Sequence, residues 1–79
     1  MTDLTYLQLD AMLRALGFSV RAADPDTKIY KHAGTGALLV LPTPSEQRVI
    51  PHHLIATRMT LDGFGITAPP ELTTQLQAS

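Results

Sequence analysis

Two segments of the chain carry apolar residues at helical spacing, and the residues between them alternate as β-strands do. The first helix is predicted to begin near Tyr6, after a Thr-x-x-Gln capping box, and to stop at Gly17. The second is predicted to begin at Pro51, because proline suits the first helical turn, and to end at Gly63. An amphipathic helix therefore flanks the alternating segment on each side.

Three strands are predicted between the helices, at residues 18–22, 27–32 and 37–41. An Asp-Pro-Asp turn and a loop with two glycines connect them, and such short connections favour an antiparallel meander. The second strand places Ile29 and Tyr30 on opposite faces, and its pattern leaves open which one is core. The predicted fold class is α+β: helix, three-stranded antiparallel meander, helix, and a short C-terminal helical tail.

The third predicted strand is apolar on both faces. Leu38 and Val40 point one way, and Leu39 and Leu41 point the other. If the helices cover one face only, the other face needs a cover of its own, either the C-terminal tail or a second subunit. We assign the contact surface to Leu39 and Leu41. The alternative is a hydrophobic strand that is partly exposed and has no partner.

The length of 79 residues suits one domain, which we place at residues 1–66, followed by a tail at 67–79. The chain has no cysteine, which excludes a disulfide framework, a thiolate metal site and a cysteine nucleophile. No apolar run is long enough to span a membrane, and no targeting segment is recognisable. We therefore expect a soluble protein of the cytoplasm.

Charge argues against a dedicated nucleic-acid binder. The formal net charge is −1, whereas binding to nucleic acid is driven by neutralisation of phosphates. A local basic patch remains open, because Arg21, Lys28, Lys31 and Arg48 are placed to share one side of the fold. The alternative is that these cations lie on an ordinary solvated face.

The histidines offer little defined chemistry. His52 and His53 are adjacent, so on a helix they point about 100° apart and do not converge on a metal. We expect no metal and no cofactor. His32 lies at the edge of the second hairpin, where either a general base or an ordinary loop histidine fits. The Gly-Thr-Gly segment at 34–36 joins two strands, so it lacks the strand-to-helix context of a phosphate loop.

Three stretches of sequence together carry a resemblance to a known family. They are Leu-Gly-Phe-Ser-Val after the first helix, Ile-Tyr-Lys-His-Ala-Gly-Thr-Gly across the hairpin, and Leu-Pro-Thr-Pro after it. With this order of elements, the chain resembles the HicA-type toxin family from about Leu7 to Ile66. The resemblance implies a fold like the double-stranded-RNA-binding domain, mRNA interferase activity, and neutralisation by a HicB-type antitoxin in a bacterial toxin–antitoxin pair.

The chain departs from the family pattern at the position that carries RNA cleavage. That pattern places Gly-Ser-His-His before a hydrophobic pair and Lys-His, and residues 29–32 match the second half. Thr27 stands in the place of the first histidine. A threonine hydroxyl does not accept and return a proton near neutral pH as an imidazole does. The resemblance therefore implies a HicA-like domain that has lost catalysis.

The leading hypothesis is a catalytically inactive binding module. Its candidate partners are a second copy in a homodimer, a HicB-like antitoxin, or structured RNA bound weakly. The alternative is an active mRNA interferase in which His32 replaces the missing histidine and Lys28 or Lys31 stabilises the transition state. A third hypothesis is a purely structural module of a larger assembly.

Overall fold

The structure, a computed structural model, describes residues 4–70 and residue 72. The elements in chain order are α1 (Tyr6–Ala15), β1 (Phe18–Asp24), β2 (Thr27–His32), β3 (Leu38–Pro42) and α2 (Pro51–Gly63). This is the predicted α+β layout of a helix, a three-stranded antiparallel sheet and a second helix. Most of the helical tail predicted within 67–79 lies outside the described residues.

Both ends of α1 follow from local chemistry. The Thr5 hydroxyl accepts the backbone N–H of Gln8, and the Gln8 side chain accepts the backbone N–H of Thr5, so the predicted capping box is confirmed. Leu16 ends the helix, and Gly17 follows with a φ of +102°. Only glycine adopts this left-handed region without strain, which explains why the helix stops at this position.

The sheet has the order β1-β2-β3, and both pairs of strands are antiparallel. Tyr30 in the central strand lies opposite Val20 on one side and Leu39 on the other. It is 1% exposed, so Tyr30 is the core residue of β2 and Ile29 points to the opposite face. Because side chains alternate, this one position determines the orientation of every residue paired with β2.

One hydrophobic core lies between the two helices and one face of the sheet. Its members come from both helices, all three strands, the segments just before α1 and β3, and the segments before and after α2. They are Leu4, Tyr6, Leu9, Leu13, Phe18, Tyr30, Ala37, Leu39, Leu41, Val49, Leu54, Leu61 and Leu72. Helix α1 packs over β1 and α2 packs over β3, so both helices lie on the same side of the sheet.

The assignment of the contact surface to Leu39 and Leu41 is wrong. These two side chains are 5% and 3% exposed and belong to the core. The exposed pair of β3 is Leu38 and Val40, at 54% and 57%. The reason is the register: Leu39 lies opposite Tyr30, so the odd-numbered residues of β3 face the helices. The expected apolar outer face exists, but it is formed by the other pair.

Candidate functional site

The sheet has a second face that neither helix covers, and we call it the outer face. It is formed by the side chains that alternate with the core residues of the three strands. Two cross-strand rows form its centre, Arg21–Ile29–Val40 and Ser19–Lys31–Leu38, and the pair Thr27–Pro42 continues it at one end. Each row runs from a polar residue on β1 to an exposed aliphatic residue on β3. The outer face is thus apolar on the β3 side and carries two cations on the β1 and β2 side.

The four predicted nucleic-acid-binding cations do not form one patch. Arg21 and Lys31 share the outer face. Lys28 lies opposite the core residue Leu41, so its side chain leaves the sheet on the helix side and is half-buried. Arg48 belongs to none of the three strands and forms an isolated antiparallel bridge with Thr5 at the start of α1. The structure therefore brings together two of the four cations.

His32 connects the second hairpin to the end of α1. Its Nε2 lies 3.0 Å from the carbonyl oxygen of Leu16, and its Nδ1 accepts the backbone N–H of Thr35 at 3.1 Å. A neutral ring protonated at Nε2 satisfies both contacts, because it donates to the carbonyl and accepts from the amide. The ring also packs edge-on against Phe18, with centroids 5.1 Å apart. Both nitrogens are therefore used within the fold.

Thr27, where the resemblance implies a cleaving histidine, lies on the other side of the sheet from His32. Thr27 and His32 are five positions apart on one strand, so their side chains leave opposite faces. Thr27 lies opposite Pro42 and is half-buried on the outer face. An imidazole at position 32 consequently does not reach the space beside Thr27.

The other histidine contact joins the two helices. The Tyr6 hydroxyl lies 2.7 Å from Nδ1 of His53 and also accepts the backbone N–H of Ile50 at 3.4 Å. Burial lowers the pKa of His53, and the neighbouring His52 lowers it further. His53 therefore favours its neutral form, which accepts the hydroxyl proton of Tyr6 at Nδ1. This histidine acts as a link between α1 and α2.

A buried tyrosine is hydrogen-bonded to a carboxylate below α1. The Tyr30 hydroxyl donates to Oδ1 of Asp10 at 2.8 Å, and Nε of Arg14 donates to Oδ2 of the same carboxylate at 2.9 Å. Burial raises the pKa of Tyr30, and the hydrogen bond to Asp10 raises it further. The hydroxyl therefore stays protonated and holds α1 on the central strand.

Sequence reasoning does not find these two tyrosine contacts. Tyr6 and His53 are 47 positions apart, and Tyr30 and Asp10 are 20 apart. The only signal available in advance is that a tyrosine at a core position needs a partner for its hydroxyl. That rule predicts that a partner exists without saying which residue it is.

Within the part of the chain that the structure describes, no group of three or more His, Asp or Glu side chains is placed to hold a metal ion. No helix among residues 4–70 and 72 is long and apolar enough to cross a membrane. Comparisons with protein-family models, with curated proteins and with solved structures find no match to this chain. The candidate site therefore rests on the geometry of the outer face.

Proposed function

We propose that this protein is a noncatalytic binding module that contacts another protein through the outer face of its sheet. The observation that carries the proposal is the exposure of Leu38 and Val40, at 54% and 57%, on a sheet face that neither helix covers. A contiguous apolar area on an open sheet face is a candidate interaction surface. The half-buried Ile29 extends this apolar area toward β2.

Charge favours a protein partner over RNA. Binding to RNA gains most of its free energy from contacts between cations and phosphates. The outer face offers only Arg21 and Lys31, since Lys28 and Arg48 lie elsewhere. The other half of the face is aliphatic, and the buried centre of a protein interface is more apolar than its rim and is depleted in charged residues. An RNA partner would meet few cations on this face.

The geometry of the histidines supports the absence of catalysis. Thr27 occupies the position where the resemblance implies the cleaving histidine. His32 is on the opposite face, with Leu16 and Thr35 on its two ring nitrogens. A general base needs one nitrogen available to the substrate proton. We therefore expect the purified protein to leave RNA intact, and steady turnover that is lost in Thr27→Ala would contradict this part of the proposal.

The experiment that tests the binding surface is site-specific photocrosslinking in the organism that carries the gene. A photoreactive amino acid at Val40 reports on the outer face, and the same residue at Ala11, which is exposed on α1, is the matched control. We expect a protein crosslink from position 40 that is absent from position 11 and is lost when Leu38→Lys is added. A product sensitive to ribonuclease would indicate RNA instead. Equal yields from positions 40 and 11 would overturn the proposal.

The HicB-like partner remains a prediction from the resemblance alone. It is checked by expressing this chain together with the product of the neighbouring reading frame and asking whether the two copurify. A complex that forms in wild type and fails in Leu38→Lys places that partner on the outer face. A complex that survives Leu38→Lys uses another surface.

A further inference from the structure

The open edge of β3 has hydrogen-bonding groups at the same residues that expose apolar side chains. The backbone N–H of His32 bonds to the carbonyl oxygen of Ala37, and the N–H of Thr43 bonds to the carbonyl oxygen of Asp26. In an antiparallel pair, bonded residues recur at every second position. Leu39 and Leu41 therefore direct their backbone groups toward β2.

Leu38 and Val40 direct their N–H and C=O groups away from the sheet, because they alternate with the bonded residues. Strand β3 is an edge strand, and no residue in the described part of the chain forms a backbone hydrogen bond to this pair. Both residues thus present an exposed aliphatic side chain together with an N–H and a C=O at the edge. Such an edge is a template for pairing with another strand.

We propose that β3 pairs antiparallel with β3 of a second copy of this chain, so that the two sheets form one continuous sheet of six strands. This inference goes beyond the proposed function, because it uses the backbone edge of β3 and names a second copy as the occupant of that edge. The pairing places Leu38 of one copy opposite Val40 of the other, with a two-fold axis at Leu39. Each Leu38 and Val40 then donates one hydrogen bond and accepts one. The edge is thus complementary to itself.

The limits of the edge agree with a short symmetric contact. The next hydrogen-bonding pair in this register would join Gly36 with Pro42 of the second copy. Proline has no N–H, and the N–H of Gly36 already bonds to the carbonyl oxygen of His32 at 2.8 Å. The ladder therefore ends on both sides of the Leu38–Val40 pair, which disfavours continued growth into larger assemblies.

Charge does not oppose this pairing. Residues 33–45, which include β3 and its flanks, contain no charged residue. Natural proteins usually protect an open edge with lysine or another charge, and this edge lacks that protection. The Lys31 side chains of the two copies would be separated by three strand spacings, about 14 Å, which exceeds the screening length at physiological salt. Repulsion between them is therefore small.

Helix α2 adds a second contact on the same side. His53 reaches α1 through Tyr6, so its flank of α2 faces α1. Ile55 lies about 200° further around the helix, so it points away from α1. Since α1 lies over β1 and α2 lies over β3, this direction leads to the open edge. The Ile55 side chain is exposed.

A second copy paired at β3 would bring the two α2 flanks together across the same two-fold axis. The exposed Ile55 side chains of the two copies supply apolar contact there. Arg58 and Asp62 bond to each other at 3.0 Å, so they add no net charge to the flank. This second contact matters because a short ladder alone buries less than a stable interface, which needs about 1,200 Å² or more in total.

The first test is the oligomeric state of the full chain in sedimentation over a wide concentration range. We expect a dimer with a dissociation constant of about 1–100 µM, as suits a small interface. Val40→Lys should raise this constant at least tenfold, about 1.4 kcal/mol. Ala22→Lys adds the same charge at an exposed position of β1 and should leave the dissociation constant unchanged. A monomer at every concentration, or equal effects of the two lysines, would overturn the proposal.

The second test separates the backbone from the side chains. The chain is short enough for chemical synthesis with an N-methyl group on the Val40 amide, which removes the edge donor and keeps every side chain. We expect a folded monomer, because this N–H has no role inside the sheet. Unchanged dimerisation in this variant would overturn the edge pairing.

Amide exchange distinguishes the failure of this inference from the failure of the proposed function. In dilute solution the amides of Leu38 and Val40 should exchange fast, and both should become protected as the concentration rises. If they stay unprotected while Val40 crosslinks to a different protein in cells, the second copy is wrong and the binding surface stands. If the two amides stay unprotected and position 40 gives no protein crosslink, both proposals fail.

Discussion

Nε2 of His32 lies 3.0 Å from the carbonyl oxygen of Leu16, so the side chain that borders the second hairpin loop closes the end of α1. The same ring holds the loop itself through the N–H of Thr35. A carbonyl at a helix C-terminus has no partner within its helix, and here a histidine supplies one. His32, the alternative catalytic residue suggested by the sequence, thus has a structural role.

The first prediction concerns that role. His32→Ala should lower the free energy of unfolding by about 1–2 kcal/mol, because it removes the bond to the part-buried Leu16 carbonyl and the edge-on packing against Phe18. Urea denaturation measures this loss. His52→Ala is the matched control, because His52 is exposed and should change stability by no more than about 0.5 kcal/mol. Equal stabilities of the two variants would show that the His32 contacts contribute nothing.

The second prediction uses two glycines at helix ends. Gly17 has a φ of +102°, and a Cβ there would lie 3.2 Å from Nε2 of His32. Gly17→Ala should therefore destabilise the protein by about 1–2 kcal/mol. Gly63 is the last residue of α2 and has open space around it, so Gly63→Ala should be neutral or stabilising by up to about 1 kcal/mol. Thermal unfolding compares the two variants, and a Gly17→Ala protein as stable as the Gly63→Ala protein would contradict the role of Gly17.

The third prediction concerns alkaline pH. Burial and the bond to Asp10 raise the pKa of Tyr30 above its unfolded value of about 10, so the folded state keeps the proton that the unfolded state releases. This stabilisation is fully present below pH 10 and declines as the pH rises further. Tyr30→Phe should flatten the decline, and it should cost about 1–2 kcal/mol at neutral pH by leaving Asp10 without the hydroxyl. Denaturation at pH 8–11 measures both effects, and an unchanged slope would contradict the assignment.

The fourth prediction concerns acid. The pKa of His53 is lowered in the folded state, so the unfolded state binds the proton more tightly. The stabilisation is therefore complete above the unfolded pKa of about 6.5 and is lost as the pH falls below it. The midpoint of unfolding should decrease between pH 7 and pH 5, and His53→Gln should reduce this dependence. NMR titration of the imidazole checks the direction, and a pKa above 6.5 would contradict it.

Most of the fold is readable from local chemistry. The capping box sets the start of α1, and Pro51 and Gly63 mark the limits of α2. The orientation of β3 is not readable, because a strand that is apolar on both faces has no alternation to reveal its core side. Only the pairing of Leu39 with the buried Tyr30 settles it. The candidate surface was therefore predictable as a feature of β3, and its residues were not.

The grouping of the cations shows the same dependence on register. Lys28 and Lys31 are three positions apart in the sequence, and this odd spacing places them on opposite faces of β2. Arg48 follows β3 in the chain and forms a bridge with Thr5, outside the three strands. Cations that are close in the sequence therefore lie on different faces once the alternation of side chains along β2 is taken into account.

The contact between Tyr6 and His53 also has a kinetic consequence. Because it joins residues 47 positions apart, it closes a large loop of the chain, whereas the turn between β1 and β2 closes only a few residues. Bonds that close large loops tend to form late in folding, after local hairpins exist. Removing this bond, as in Tyr6→Phe, should therefore speed unfolding more than it slows folding. The bond between Tyr6 and His53 should therefore act mainly by slowing the unfolding of the native protein.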